Sequence, residues 1–256
     1  MDTLIQYNFR YLWRKQRFIV LLVVGFLMAA LSAVTARYLP EILTFALALD
    51  GLENVPFPES STTEAYAQFV GNMSQIFMWV VIFIGASYLH EEERSGFSET
   101  YYATPITAFD HGFAKVFPMF ILILTASIAA SVFFAVYTWW LFDTFLWSGL
   151  ILLAVLITVA NYFIYAMMTL VHAVTKRFAW TVLAGFAVYT LLSLLTLLSG
   201  DFFTYFPQAL MQAPYEILTT QRSMGSGWLL ALLYLVIADG FIYASIYVTR
   251  LRPGRT

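Results

Sequence analysis

The sequence predicts an all-α integral membrane protein on three observations: an extreme apolar composition, six long apolar runs, and basic residues that gather on one side of those runs. Hydrophobic residues make up 61% of the 256 and charged residues 11%, against roughly a quarter in a soluble domain that must clothe its surface. Lipid is therefore the main solvent. A net charge of −2 excludes a broadly basic nucleic-acid surface, and the absence of cysteine excludes disulfides, thiolate metal sites and a cysteine nucleophile.

Crossing about 30 Å of hydrocarbon takes roughly 20 helical residues. Runs of that length fall at 18–36, 69–89, 116–138, 148–171, 178–199 and 227–249. Arg10, Arg14, Lys15 and Arg17 precede the first, and Arg94 and Lys115 lie between the second and third. Lys176 and Arg177 separate the fourth and fifth, while Arg250, Arg252 and Arg255 follow the sixth. Only Arg37 and Arg222 fall on the other side. Basic residues stay inside, so both termini of a multi-pass cell-membrane protein are expected in the cytoplasm. The acidic Glu41, Asp50, Glu53, Glu59 and Glu64 then face out. Val34-Thr35-Ala36 resembles a leader cleavage site, but the first run is longer than a leader's apolar core of about 7–15 residues, so a retained helix is expected.

Residues 2–17 have helical periodicity, with Ile5, Phe9, Leu12 and Trp13 on one face and Arg10, Arg14 and Arg17 on another. This suits a helix lying in the cytoplasmic interface, as an orienting flank or a dock for a partner. Residues 37–68 form an outward connection broken by Pro56 and Pro58. Ser61-x-x-Glu64 then caps a helix that continues through Ala65, Phe69 and Met73 into the second run. The second outward connection, 200–226, mixes Pro207 and Pro214 with Phe202, Phe203, Tyr205 and Phe206, predicting short helices in the outer interface. Trp139, Trp140 and Trp147 fit an outer aromatic belt. No repeat or linker divides the chain, so residues 1–256 read as one domain.

The richest stretch lies inside, between the second and third runs. Glu91 and Arg94 are spaced to pair at i, i+3, and Phe97 and Tyr101 to stack at i, i+4, giving a short helix with a charged and an aromatic side. Thr104-Pro105 ends it, because proline disfavours a helical residue before it and lacks an amide donor. Thr107-x-x-Asp110 caps the next helix, which leads through Lys115 into the third run.

Here the sequence resembles the ABC-2 type transporter permeases. Glu92-Glu93-Arg94-Ser95-Gly96, then Ala103-Thr104-Pro105-Ile106-Thr107, then Ala114-Lys115 is similar to that family's pattern, and the residues from Ser61 to Gln75 resemble its approach to the second span. Tyr101 and Tyr102, and the continuation Phe109-Asp110-His111, depart from it. The resemblance implies six transmembrane helices with the stretch 91–107 as a cytoplasmic coupling helix. It further implies a permease paired with a second copy or a sister permease, and docked to separate ATP-binding subunits that hold ATP and Mg. Glu91, Glu92, Glu93, Arg94, Gly96, Phe97, Tyr101, Thr104, Pro105 and Lys115 would meet those subunits. Consistently, the chain has no G-x-x-x-x-G-K-[ST] loop of its own, and no cofactor is expected on it.

Other candidates carry less. Two histidines four apart are lacking around Glu91 to Glu93, because position 94 is Arg94, so a zinc peptidase is not expected. His111 and His172 are two lone histidines near the cytoplasmic side. Asp239 is the one acidic residue inside an apolar run, with Tyr243 and Tyr247 below it as a polar stripe that serves either the pathway or helix packing. Asn161 and Ser193, with Thr196 and Ser199, stand under the same two readings. An ATP-independent channel or carrier is the alternative to a permease, with an intramembrane enzyme behind it; several charges within the runs would mark a carrier, and Asp239 is alone.

Overall fold

The computed structural model describes residues 2–49, 60–94, 107–145, 147, 149–195 and 224–251, and every element within them is helical. Helix α1 (Asp2–Arg14) is amphipathic and buries Leu12. It ends where Gln16 takes a left-handed backbone, φ 57°, after which α2 (Arg17–Leu49) sets off in a new direction. Arg17 was expected on the charged face of the interface helix. It instead opens α2 and is 8% exposed.

Helix α2 also corrects the first outward connection, which was expected to begin at 37. The helix runs on to Leu49 with Pro40 inside it. A proline removes one amide donor without forbidding a helix, and the apolar residues after Glu41 have good helix propensity.

The capping serine acts as read. Ser61 Oγ accepts from the Glu64 amide at 3.2 Å and starts α3 (Thr62–Asn72). Without a break, a wide π turn (Met73–Phe77) follows, then α4 (Met78–Arg94). The buried residues Ala65, Tyr66, Phe69, Val70, Met73, Phe77, Met78, Val81, Ile82 and Ala86 repeat about every four positions. At 3.6 residues per turn such a stripe drifts by about 40° per repeat, and the wide turn takes up part of that drift. The two parts also answer to different neighbours: α3 lies against α2 and α5 (Ala108–Phe142), whereas α4 lies against α6 (Leu150–Thr175) and α7 (Phe178–Leu195).

Helix α5 begins at the second cap read from sequence, Thr107 Oγ1 accepting from the Asp110 amide at 3.1 Å. Helix α6 is the hub. It packs on α4, α5, α7 and α8 (Met224–Leu251), and buries residues on nearly every side from Leu152 to Met168. Small residues set the closest approaches. A Cβ added at Gly85 of α4 would stand 2.8 Å from Tyr165 of α6, and one at Gly185 of α7 would stand 2.8 Å from both Ile82 and Met168.

Large apolar side chains cover the outside: Leu27 and Leu31 on α2, Val132 and Val136 on α5, Leu183 and Leu191 on α7, and Leu229 and Val236 on α8 are all exposed. Water would not tolerate that surface; hydrocarbon does. Among the described residues, five helices are long and apolar enough to cross a membrane: Arg17–Ile42, Thr62–Glu91, Phe109–Phe142, Leu150–Thr175 and Ser226–Thr249. The run expected at 178–199 appears as the shorter apolar helix Phe178–Leu194, and positions 196–199 lie outside the described residues. The chain is thus an all-α, multi-pass membrane protein. The outer stretch 200–226 lies outside the described residues up to 223.

Candidate functional site

At the basic end of the bundle, three helices meet in one ionic cluster. Ser87, Tyr88 and Glu91 share a face of α4 because i and i+4 lie one turn apart. Tyr11, Lys15 and Arg17 come from the end of α1, the bend at Gln16 and the start of α2. The Arg17 guanidinium donates through Nη2 to Ser87 Oγ at 3.0 Å and to Glu91 Oε2 at 2.5 Å. Lys15 Nζ holds the other carboxylate oxygen at 2.8 Å. The guanidinium carbon also lies 5.4 Å from the Tyr11 ring centre and 5.7 Å from that of Tyr88. These rings supply a cation–π environment for Nη1, which is buried and has no hydrogen-bond acceptor among the described residues.

Tyr88 in turn donates to Asn8 Oδ1 of α1 at 2.8 Å. Burial, and then the nearby Glu91 carboxylate, push the Tyr11 hydroxyl well above the ordinary phenol range, so it stays neutral.

Both members of the central pair sit where their own helix disfavours them. Arg17 is a cation at a helix N-terminus, and Glu91 is an anion in the last turn of α4. The pairing across elements offsets both penalties, and it fastens the interface helix to the inner end of α4. Sequence spacing suggests that Glu91 pairs with Arg94, whose side chain lies outside the described set. Among the described residues Lys15 and Arg17 hold the two oxygens of Glu91, because the bend at Gln16 delivers two cations to it at once.

Beyond this cluster the expected residues divide. Glu92, Glu93 and Arg94 complete the last turn of α4, and their side chains are outside the described set. Gly96, Phe97, Tyr101, Thr104 and Pro105 lie outside the described residues. Lys115 Nζ donates to the Leu89 carbonyl at 3.2 Å, tying the start of α5 to the end of α4. Arg10 and Arg14 are exposed on α1, and Trp13, 62% exposed, stacks on Phe18 at 5.2 Å as an interface anchor would.

Deeper in the bundle, Asn161 is buried on α6. Its Nδ2 donates to the Ile157 carbonyl at 2.8 Å, and its Oδ1 has no hydrogen bond among the described residues. Ser193 is half-buried on α7. Asp239 finds its partner on another helix, Oδ1 accepting from the Tyr162 hydroxyl of α6 at 3.2 Å, while Tyr243 and Tyr247 point away from the bundle. His172 lies beside His90 rather than beside His111 in any described contact, with ring centres 6.4 Å apart, and its Nδ1 is 2.9 Å from Thr181 Oγ1. Among the described residues no three His, Asp or Glu side chains gather to hold a metal.

The residues that sequence reasoning passed over are Tyr11, Ser87, Tyr88 and Tyr162. Helical spacing alone puts Ser87 and Tyr88 on the face of Glu91; what they meet is a matter of tertiary packing. The chain matches no family model, no curated protein and no solved structure. The resemblance of the stretches 61–75 and 92–115 to a permease family therefore stands on the sequence of this chain.

Proposed function

We propose that the protein is the membrane-embedded permease of an ATP-driven ABC-2 type exporter, non-enzymatic itself, crossing the membrane six times and working as a pair docked to separate ATP-binding subunits. What supports the reading is the position of the Glu91 cluster. It adjoins the Glu92–Arg94 turn and joins α1, α2 and α4 at the point where the family pattern puts the contact with the ATPase. A push on the stretch 91–107 would reach α4 directly and α1 through Glu91, so interface helix and second span would move together. On this reading the alternating tilt of the second and third spans against the rest opens the pathway to one side and then the other.

The test is isolation of the full chain from native membranes in mild detergent, where an ATP-binding subunit is expected to come with it. Replacing Glu92, Glu93 and Arg94 together by alanine should lower the ATP hydrolysis of that assembly severalfold while membrane insertion stays intact. Unchanged hydrolysis in the triple variant would remove the coupling role. Isolation of the chain with no ATPase from membranes in which it is active would favour the channel or carrier alternative.

A further inference from the structure

Asp239 is the only charged residue within the six apolar runs, yet it is exposed at the edge of α8, with Oδ1 turned to Tyr162, rather than sealed in the bundle. It lies near the middle of Ser226–Thr249, too far from either end to reach headgroups with so short a side chain. Its one described bond, from Tyr162, occupies a single lone-pair site on Oδ1, and a carboxylate has about four such sites. A carboxylate left in that state against lipid tails is strongly disfavoured.

The same face carries two further features. Gly240 is a glycine inside a helix, which is unfavourable unless something must come close, and a Cβ added there would meet nothing within 4 Å among the described residues. Tyr243, 65% exposed, and Tyr247 hold phenol donors one and two turns further in.

We infer that this face of α8, Asp239, Gly240 and Tyr243 with Val236 above, packs against the same face of a second copy of this chain in the membrane. The face is self-complementary, as a two-fold contact requires, because it holds both an acceptor and a donor. Two copies inserted the same way run parallel. Side chains on a helix lean toward its N-terminus, so the Tyr243 hydroxyl of one copy rises to the height of Asp239 in the other. Gly240 lets the backbones approach closely enough for that bond to form. This deepens the paired-permease reading and rests on its pairing, but not on any ATPase.

The chain contains no cysteine, so a single introduced thiol reports on one position. Full-length Gly240→Cys and, on the exposed face of α5, Val132→Cys would be oxidised with copper phenanthroline in the membranes that make them. Gly240→Cys should give a disulfide-linked species of two chains of 29.1 kDa each, and Val132→Cys should stay single. Without oxidation, Tyr243→Phe should lower the dimer fraction in mild detergent severalfold, since that side chain is exposed in the single chain and its loss leaves the fold alone. Crosslinking at Val132 and not at Gly240 overturns this face and spares the pairing. A product of any other mass overturns the second copy as occupant. Single chains throughout, in both assays, overturn the face and the pairing alike.

Discussion

Arg17 and Lys15 both hold Glu91 but differ in burial, and mutation of the cluster should show it. The Arg17 side chain is 10% exposed and also fills the space between two tyrosine rings, whereas the Lys15 side chain is 51% exposed. Loss of either cation leaves Glu91 with the other. Loss of the buried arginine also leaves Ser87 and the two rings without that partner away from water, whereas loss of the exposed lysine removes a pair that solvent already screens. Arg17→Ala is therefore expected to lower stability by about 1–3 kcal/mol, and Lys15→Ala by less than about 1 kcal/mol. Thermal unfolding in detergent would measure both, and equal losses would contradict the burial order. That Arg17 belongs to a cluster was legible only as a basic residue ahead of the first apolar run. Its partner lies 74 residues away, and no spacing rule spans that distance. Asp239 teaches the same lesson. The sequence showed that it needed compensation, but Tyr162, 77 residues before it, was beyond reach of helical periodicity.

At the scale of the element, helix starts were the most readable feature. Ser61 and Thr107 each cap an amide three residues on, so cap and capped group appear in the same short window. Helix ends were less so: α2 passes Pro40, and α1 stops at a left-handed Gln16 that no glycine or asparagine announces. Helix contacts give a sharper prediction. Gly85→Ala would drive a methyl into the fully buried Tyr165 ring and should lower stability by about 1–3 kcal/mol. Gly71→Ala, with nothing within 4 Å of the new methyl, should be neutral or stabilise by up to about 1 kcal/mol through helix propensity. Paired melting curves of the two variants would check the contrast, and a Gly85 variant as stable as Gly71→Ala would show that the helices separate without cost.

For the whole molecule, composition was enough to read the class, because a bilayer imposes a length on any helix that crosses it, and charge placement gives an expected orientation. The number of crossings was harder. Phe178–Leu194 is apolar but short, and whether it crosses decides whether the two chain ends share a side. A phosphatase joined after Thr256 should be inactive, and a fluorescent protein at the same place bright, if the end lies in the cytoplasm as the basic Arg250, Arg252 and Arg255 demand. With the N-terminus inside, the reverse pattern would mean an odd number of crossings.

The wide turn at Met73–Phe77 bears on how such a bundle could change shape. Below it, the second span packs mainly on α6 and α7, with Arg17 of α2 and Lys115 of α5 holding its inner end; above it, it packs on α2 and α5. A π turn is a place where a helix changes its winding, so the two halves of the span can turn different faces to different neighbours. Span two is thus one unbroken shaft whose outer part is keyed to α2 and α5 and whose inner part is keyed mainly to α6 and α7.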